Sequence, residues 1–445
     1  MLMPIRRTPL VAVIVAGLAL SLLPDHATAQ EARHRWERLC QIREEKFDRV
    51  LPEVMRENQI DMWIVAQKEG HNDPMYELLG RGYTGSIGYY VFSDRGGDRI
   101  ERAALGITGG MLEQCRVYDI VEGTAELQAF VAARNPKRIG INTSDEIGAA
   151  DGLTHTLYLH LRKTLGDQFA GRLVSAERLV SDYRSRHVAS EIVAFGEAGE
   201  LSRTIAERAL SNDVITPGRT TLAEVAWWMW DQLLARGLGS SFDMPSVYIT
   251  GPNGIEATST DRIIQRGDIL VIDWGVGYLN FWTDLKRMAY VLKDGELAAP
   301  ASYQHAFDQA VKVRQLIRRT IKPGGTAKEM LDRLNGSVAV MPGFGLMKGF
   351  NQPTDDRGVT DVIVGCHSVG DLGHGSGPSI AWFNPIRLTF PIRATNLFSI
   401  EFFAYTAIPE WGGKKLRIPL EDDAVVTERG VEWVYPVNQR ILLIK

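Results

Sequence analysis

The feature that most constrains this chain is the segment VIDWGVGYLNFWTDLKR at residues 271–287. It places two aspartates, Asp273 and Asp284, among apolar and β-forming residues. The pattern predicts two strands joined by a turn at residues 277–280. If the hairpin folds about its midpoint, the aspartates lie opposite each other with Cβ atoms roughly 5 Å apart. Two carboxylates at that distance repel unless one is protonated or a cation lies between them. A register shifted by one residue would turn one aspartate to solvent, and the hairpin alone leaves both alternatives open.

The N-terminus has the pattern of a secretory signal peptide. Two arginines precede an apolar run at residues 10–23, and the small-residue sequence ATA follows at residues 27–29. The run is shorter than the ~20 residues that cross a bilayer. We expect residues 1–29 to be a cleaved signal peptide, with a periplasmic or secreted mature protein that has no membrane partner. An uncleaved anchor is the alternative.

Composition excludes some classes of partner and chemistry. Charged residues make up 23% of the chain and the net charge is −4, so no basic surplus indicates a nucleic-acid partner. The three cysteines, Cys40, Cys115 and Cys366, have no C-x-x-C spacing. Neither a zinc finger nor thiol catalysis is therefore indicated. Export permits one disulfide, whose pairing the sequence leaves open.

Two domains follow the predicted signal peptide. Residues 30–180 alternate short apolar strands with helical stretches, which predicts a small α/β domain. In residues 181–445, two long helices at 188–212 and 221–236 precede a strand-rich segment with segregated helices. That order is typical of an α+β domain.

Three further candidate ligands follow in the second domain. His374 lies in LGHGSG, Glu401 in LFSIEFFAY and Glu421 in PLEDDAVVTERG. Taken singly, they also fit a core histidine, an ion-pair partner and a solvated strand end. However, a glutamate in an apolar strand is costly unless it is paired or bound to a metal. With Asp273 and Asp284 they make one imidazole and four carboxylates, a set suited to two divalent cations about 3.5–4 Å apart.

The order and spacing of these five residues, with GHGSG, SIEFFAY and LEDDAVVTERG, resemble the pita-bread metallopeptidases. This family contains Xaa-Pro aminopeptidase, prolidase, methionine aminopeptidase and creatinase. The resemblance covers about residues 188–435, and residues 31–180 resemble the N-terminal domain of the creatinase, prolidase and aminopeptidase P branch. It implies an α+β fold: a C-terminal pita-bread catalytic domain preceded by a smaller α/β creatinase-type domain.

The resemblance also implies roles for the five residues. Asp273 would bind one metal ion through both oxygens, and Asp284 and Glu421 would bridge two ions. His374 and Glu401 would complete the second metal site. Glu401 also matches the position that takes the proton of the attacking water. The ions would be two of Mn, Zn, Co or Fe, among which such ligands do not select.

Departures from the family lie around the ligands. Glu256 and Ala381 stand where the peptidases carry two substrate-contacting histidines, and Lys286 replaces a threonine. Without those histidines we expect low or absent activity on Xaa-Pro dipeptides, and Glu256 would favour a substrate with a cationic group. His367 in GCHSVGD, seven residues before His374, is the nearest histidine that could supply the missing proton.

The sequence therefore predicts an exported dinuclear metal-dependent hydrolase of the Xaa-Pro peptidase type. It would cleave a peptide or amide bond in a small substrate and form a homodimer. The alternatives are a non-peptidase member of the same fold that acts on a small amide, amidine or other metabolite, and a catalytically silent binding protein. Retention of all five ligands favours an enzyme.

Overall fold

The structure, a computed structural model, describes the backbone of residues 26–445 and side chains from Gln30 onward. The predicted signal peptide at residues 1–29 lies outside this part except for the last four residues, which begin the first helix. Its cleavage therefore stays a prediction. Within residues 26–445, no helix has both the length and the apolar character that a membrane span requires.

The first half of the chain forms one mixed sheet with helices on both faces. Its six strands have the order β4-β3-β2-β1-β5-β6, in which β1 to β3 are antiparallel neighbours while β5 and β6 run parallel to β1. The elements are α1 (His26–Arg49), α2 (Leu51–Glu57), β1 (Met62–Lys68), α3 (Tyr76–Leu79), β2 (Tyr83–Asp94), β3 (Ile100–Thr108), α4 (Gly110–Gln114), β4 (Ile120–Glu122), α5 (Leu127–Arg134), β5 (Ile139–Ile141), α6 (His155–Ala170), β6 (Leu173–Ser175) and α7 (Glu177–Ser185).

Strand β1 explains why this sheet is covered on both faces. Its sequence MWIVAQK is an almost unbroken apolar run, as expected for a strand buried on two sides. Trp63 packs into the apolar cluster that contains α2 and α7, whereas Ile64 packs into the one that contains α5 and α6. This arrangement matches the small α/β unit expected for residues 30–180, although the exact boundary stays a prediction.

The second half contains four smaller sheets, with strand orders β23-β13-β10-β8-β9, β12-β11-β7, β14-β15-β19-β20 and β17-β16-β18-β21-β22. The helices are α8 (Ala189–Ala209), α9 (Leu222–Leu234), α10 (Ala301–Thr320) and α11 (Ala327–Ala339). The strands are β7 (Gly239–Ser240), β8 (Ser246–Gly251), β9 (Gly254–Glu256), β10 (Ile269–Trp274), β11 (Val276–Tyr278), β12 (Phe281–Trp282), β13 (Leu285–Val291), β14 (Phe344–Leu346), β15 (Thr360–Val364), β16 (Cys366–Ser368), β17 (Ser379–Ile380), β18 (Leu397–Ser399), β19 (Phe402–Ala407), β20 (Lys415–Leu420), β21 (Asp423–Thr427), β22 (Gly430–Trp433) and β23 (Leu442–Ile444).

Strand β10 has a different helix pair against each of its faces. Leu270 and Ile272 pack with α8 and α9, whereas Ile269 and Val271 pack with α10 and α11. Side chains alternate along a strand, so Asp273 shares the face of Val271. The aspartate therefore points into the interior of the second half of the chain.

A disulfide and a buried ion pair attach α1 to the rest of the molecule. Cys40 in α1 is bonded to Cys115, while Cys366 is buried and reduced. The Lys46 ammonium lies 2.8 and 3.1 Å from the two carboxylate oxygens of Glu191 at the start of α8. These two side chains are 3% and 1% exposed, so the pair is desolvated.

We predict that Lys46→Met lowers the free energy of unfolding by roughly 3–5 kcal/mol, because it leaves a buried carboxylate without its cation. Burial alone raises the pKa of Glu191, but Lys46 and His187 outweigh burial and lower the pKa to about 2. Stability from this group is thus present above pH 4.5 and is lost as the pH falls from 4.5 towards 2. Urea denaturation followed by circular dichroism measures both effects.

The matched control is Lys328→Met, which breaks an exposed pair with Asp332 one helical turn away and should cost less than about 1 kcal/mol. The double variant Lys46→Met/Glu191→Leu should recover most of the loss, because an apolar pair of similar volume replaces the ion pair. Equal losses for the two single lysine variants would contradict the prediction.

Candidate metal centre and active site

The hairpin carrying the two aspartates turns one residue later than the sequence predicts. Leu279 and Asn280 form a two-residue turn, each with positive φ, as a type I′ turn requires. Asp273 consequently pairs with Lys286 rather than with Asp284. The prediction of directly opposed aspartates is therefore wrong by two residues. Since a shift of two residues keeps every side chain on its face, Asp284 still lies on the same side, as a diagonal neighbour of Asp273.

Two strand breaks bring the glutamates to this hairpin. Glu401 lies between β18 and β19, and Glu421 lies between β20 and β21. The breaks are tied together because the Ile400 N–H donates to the Asp422 carbonyl oxygen at 2.9 Å. The Lys286 N–H also donates to the Glu421 carbonyl oxygen at 3.1 Å. The four predicted carboxylates therefore converge in the interior from three segments that are distant in sequence.

The Lys286 ammonium lies in the middle of these carboxylates. Its Nζ is 3.1 Å from Asp273 Oδ2 and 2.7 Å from Glu401 Oε1, and it donates a short hydrogen bond to Glu421 Oε2. The side chain is 5% exposed. Burial alone would lower the pKa of Lys286, but the surrounding carboxylates raise it well above its usual value. The lysine is therefore a permanent cation inside the cluster.

The carboxyl groups respond unequally to this environment. Burial raises the pKa of Asp273 to about 6 against the opposing charge of Lys286. Burial, with Glu421 and Asp273 next, raises the pKa of Asp284 well above its usual range. Burial also opposes ionisation of Glu421, yet Lys286 and His367 together lower its pKa to about 2. Glu421 is thus ionised, whereas burial and the neighbouring carboxylates disfavour the ionised form of Asp284.

The imidazole closest to the glutamates is that of His367, not that of His374. His367 Nε2 lies 3.5 Å from Glu421 Oε1 and 3.9 Å from both Asp284 Oδ2 and Glu401 Oε2. Burial lowers the pKa of His367, but Glu421 and Glu401 outweigh it and raise the pKa. The His374 ring lies beside that of His367, with 4.7 Å between ring centroids. Burial and the neighbouring His367 lower the pKa of His374 to about 4, so it is neutral at pH 7.

Within the described part of the chain, three groups could hold a metal ion with ligand atoms within 4.8 Å of one another. Asp273, Asp284 and Glu421 form one, His367, Glu401 and Glu421 form another, and Asp284, His367 and His374 form the third. His374 thus shares a group with Asp284 and His367 but not with Glu401, its expected partner.

Helix α7 fixes the loop that carries His374. Arg184 Nε donates to Asp371 Oδ2 at 2.7 Å, and the Ser376 hydroxyl donates to the same oxygen at 2.7 Å. A Cβ at Gly375 would lie 2.6 Å from Asp371 Oδ1 and 2.7 Å from Ser368 Oγ. The glycines of GHGSG therefore allow a tight loop around a buried ion pair, and that loop presents His374.

A cavity of about 790 Å³ is lined by Arg417, near the carboxylate cluster. Arg417 stacks on Phe403, with 4.2 Å between the guanidinium carbon and the ring centroid, and donates to the Tyr248 hydroxyl at 3.1 Å. Phe403 also lies 5.7 Å from the Lys286 ammonium. Phe403 thus lies between Lys286 of the cluster and Arg417 of the cavity lining.

Glu256, by contrast, belongs to none of the described groups. It lies on β9, its side chain is 55% exposed, and it accepts a hydrogen bond from Arg262 Nε at 2.6 Å. Ala381 is fully buried beside β17. The predicted role of Glu256 in recognising a cationic group therefore has no support from its position, because its charge is already paired outside the cluster.

The donor set suits a divalent cation. Among residues 26–445, Asp273 Oδ1, Asp284 Oδ1 and His367 Nε2 are buried without a hydrogen-bond partner. Buried polar atoms normally have partners, and carboxylate oxygens with one imidazole are ligands of Mn, Fe, Co and Zn. The side of the cluster that faces His367 therefore fits a metal ion.

Sequence reasoning underestimated Lys286. It lies two residues after Asp284, so on a strand both side chains share one face. That spacing predicts that the ammonium lies on the same face as Asp284, whereas its contacts with Glu401 and Glu421 depend on distant segments. The position of His367 had a weaker signal, namely its seven-residue separation from His374.

We predict that Asp284→Asn raises the melting temperature in chelator at pH 8 and leaves it nearly unchanged at pH 4. A carboxyl with a raised pKa in the folded state loses stability as the pH rises through that pKa, and the neutral amide removes this loss. Thermal melts between pH 4 and 8 measure the effect. Asp98→Asn, at an exposed aspartate, is the control and should change little. A lower melting temperature for Asp284→Asn at pH 8 would show instead that Lys286 compensates the carboxylate fully.

Comparisons with known proteins agree with this architecture. The uncharacterized peptidase YqhT of Bacillus subtilis is 26% identical over 384 residues, covering 82% of this chain and 92% of that protein. The Xaa-Pro dipeptidase of Pyrococcus furiosus is 26% identical over 197 residues, covering 43% of this chain and 45% of that protein. Among solved structures, the X-Pro aminopeptidase of Thermotoga maritima superposes with a TM-score of 0.62 at 19% identity, over 88% of this chain and 99% of that one. The Xaa-Pro dipeptidase of Bacillus anthracis gives a TM-score of 0.60 at 20% identity, over 91% and 99%.

The model of metallopeptidase family M24 matches residues 194–428, more than half of the 445-residue chain. The structural neighbours cover both halves of the chain and confirm the predicted fold, a pita-bread domain behind a smaller α/β domain. The predicted family is likewise confirmed. By its sequence, its fold and its cluster of carboxylates and imidazoles, the chain belongs to metallopeptidase family M24.

Proposed function

We propose that this protein is an exported, metal-dependent hydrolase of the Xaa-Pro peptidase type that cleaves a peptide or amide bond. The observation that carries the proposal is the convergence of four carboxylates and His367 around buried atoms that have no hydrogen-bond partner in the described part of the chain. The names of the Pyrococcus and Bacillus relatives support the same bond class. A protein that only binds a ligand has no need of so costly a cluster.

Metal binding would involve Asp284, His367, Glu401 and Glu421. A bound divalent ion supplies a Lewis acid that polarises the scissile carbonyl and acidifies water. Glu401 is the partly accessible carboxylate of the set and is suited to accept the proton of the attacking water. The sequence predicts two ions, and this number stays a prediction.

The roles expected from the sequence for His367 and His374 should be exchanged: His367 binds the metal ion, and His374 contacts the substrate. His367, directed at three carboxylates, is suited to be the metal ligand. His374 lies seven residues later, the separation that the resembling peptidases have between their ligand and their substrate-contacting histidine. Because His374 is neutral at pH 7, its N–H can donate a hydrogen bond to the developing oxyanion. On this assignment one of the two missing histidines is present after all.

The cavity favours a substrate with an anionic group rather than a cationic one. Its lining includes Arg357, Lys414, Lys415 and Arg417, against the single described acid Asp355. Of these cations, Lys415 is already paired with the buried Asp361 at 2.6 Å. Lys414 and Arg417 donate to the neutral Asn253 and Tyr248, and neither they nor Arg357 form an ion pair with a described carboxylate. These cations could therefore bind a substrate carboxylate, such as the free C-terminus of a short peptide.

Export is supported by the disulfide as well as by the N-terminal pattern. The bond between Cys40 and Cys115 joins residues 75 positions apart. Such bonds persist in oxidising compartments and are rare in the cytosol.

The homodimer expected from the family resemblance remains part of the proposal. A non-peptidase hydrolase with the same centre is the second candidate, and it is favoured by the lack of a histidine at position 256, where the resembling peptidases have one.

We predict metal-dependent hydrolysis in a panel of Xaa-Pro dipeptides, longer Xaa-Pro peptides and N-acyl amino acids, with the best rates for substrates that have a free carboxylate near the scissile bond. Glu401→Gln should lower kcat about 10²–10⁴-fold, because it removes the proton acceptor. His374→Asn should lower kcat about 10²–10³-fold with metal retained, whereas His367→Asn should lose the metal. Steady-state kinetics and elemental analysis measure these outcomes.

Glu256→Gln is the control variant and should leave rate and metal content unchanged, because its carboxylate is bound to Arg262 outside the cluster. Arg357→Ala should raise KM for carboxylate-bearing substrates but not for their amides. Retention of metal by His367→Asn together with its loss in His374→Asn would reverse the histidine assignment. Preference for amides and amidines over free acids would favour the second candidate.

We predict that residues 1–35 direct a fused alkaline phosphatase to the periplasm of a bacterial host and that the mature chain begins at Gln30. The purified protein should contain one thiol titratable after denaturation, since Cys366 alone of the three cysteines lies outside the disulfide. Deleting residues 10–23 is the control and should abolish export. Three thiols in protein isolated from its native host would contradict an oxidising location.

A further inference from the structure

We propose that the Lys286 ammonium takes the place of one of the two predicted cations, so that the centre binds a single divalent ion on the side of His367. The inference rests on the proposed metal dependence but does not require any particular substrate. It concerns how many ions this chain binds, which its five retained ligands alone do not decide.

The ammonium of Lys286 already uses all of its hydrogen-bond donors. An ammonium has three N–H donors, and Nζ of Lys286 has three carboxylate partners, on Asp273, Glu401 and Glu421. A metal ion bound to the same oxygens would lie at about 2.0–2.2 Å from each of them. That position falls within the volume that the ammonium fills, so the two cations exclude each other.

Lys286 is held in place by its strand and by its sequence neighbours. It lies in β13, which pairs with β10 on one side and β23 on the other. Its backbone N–H is bound to Glu421, and both sequence neighbours, Leu285 and Arg287, are buried. Withdrawal of the side chain would leave the buried Glu421 and the partly buried Asp273 and Glu401 without their cation, which is unfavourable.

The side of the cluster that faces His367 has donor atoms for a metal ion. Among the described residues, Asp273 Oδ1, Asp284 Oδ1 and His367 Nε2 of the cluster are buried without hydrogen-bond partners. Asp273 already binds the ammonium through its other oxygen, whereas no ion pair joins Asp284 or His367 to Lys286. Glu401 Oε2 and Glu421 Oε1 also face His367, while the other oxygen of each glutamate faces the lysine. Each glutamate thus directs one oxygen at the ammonium and the other at an open position beside His367. The open position has donors for one ion.

The charge balance of the cluster also favours a single divalent ion. When all four carboxyl groups are ionised, as metal binding requires of its ligands, they and the one ammonium have a net charge of −3, and one divalent ion reduces this to −1. A second divalent ion beside Lys286 would add two like charges at contact distance, in a partly buried site where screening by water is reduced. Removing the lysine reverses this balance and opens the second position.

The test is the number of ions bound by the wild type and by Lys286 variants. Equilibrium dialysis against Mn²⁺ with elemental analysis should give one ion per chain for the wild type and two for Lys286→Thr. Mn²⁺ electron paramagnetic resonance should show the six-line spectrum of an isolated ion in the wild type. The Thr variant should show an exchange-coupled pair, as expected for ions about 3.5–4 Å apart.

Two controls separate the charge of Lys286 from its burial. Lys286→Arg keeps the charge and should bind one ion. Lys415→Met removes a different buried lysine, one paired with Asp361, and should also bind one ion. Circular dichroism shows whether each variant is folded, and a wild-type value of two ions overturns the inference whether or not Lys286→Thr folds.

Two ions in the wild type would overturn this inference and leave the proposed hydrolase intact. One ion in both the wild type and a folded Lys286→Thr would also overturn it, because the lysine would not be what excludes the second ion. A wild type that binds no Mn²⁺, Zn²⁺, Co²⁺ or Fe²⁺ would overturn the proposed metal dependence itself.

Discussion

The interaction on which the second half of the molecule depends is the buried contact between Lys286 and the carboxylates of Asp273, Glu401 and Glu421. Four acidic groups cannot share an interior site without compensation, because each ionised carboxylate loses its water. Lys286 supplies part of that compensation from within the chain. The high pKa of Asp284 and the low pKa of Glu421 show how unevenly the remaining cost is distributed.

Charged and polar side chains on several other elements stabilise the acidic residues around the cluster. Behind the cluster, Asp422 is paired with Arg287 at 2.8 Å and lies 3.5 Å from Arg314. Asp423 accepts a hydrogen bond from the Tyr435 hydroxyl at 3.1 Å. The acidic run that begins at Glu421 thus has one residue directed at the centre and two directed at fixed partners. Such outer partners hold the inner carboxylates in place, as they do in many metal sites.

The α/β half contributes to the site through contacts of the same kind. Arg184 of α7 pairs with Asp371 and so holds the loop of His374, while Lys46 of α1 pairs with Glu191 of α8. Both pairs are buried, so the breaking of either would leave an uncompensated charge. The first half of the chain therefore acts as a support for the His374 loop in addition to having a core of its own.

Local pattern was sufficient for much of this protein. The alternation of apolar residues predicted the strands, and the order of Asp273, Asp284, Glu401 and Glu421 predicted both the family and the carboxylate cluster. These predictions succeeded because period and spacing are properties of the chain itself. Tertiary structure decided the rest. The register of the hairpin depended on positive φ at Leu279 and Asn280. The choice between His367 and His374 depended on β16 and on the loop held by Arg184, and the place of Lys286 depended on three segments meeting across sequence separations of more than a hundred residues. Contacts between distant segments are determined by packing and by the compensation of buried charge. The spacing of residues along the chain does not determine either of these.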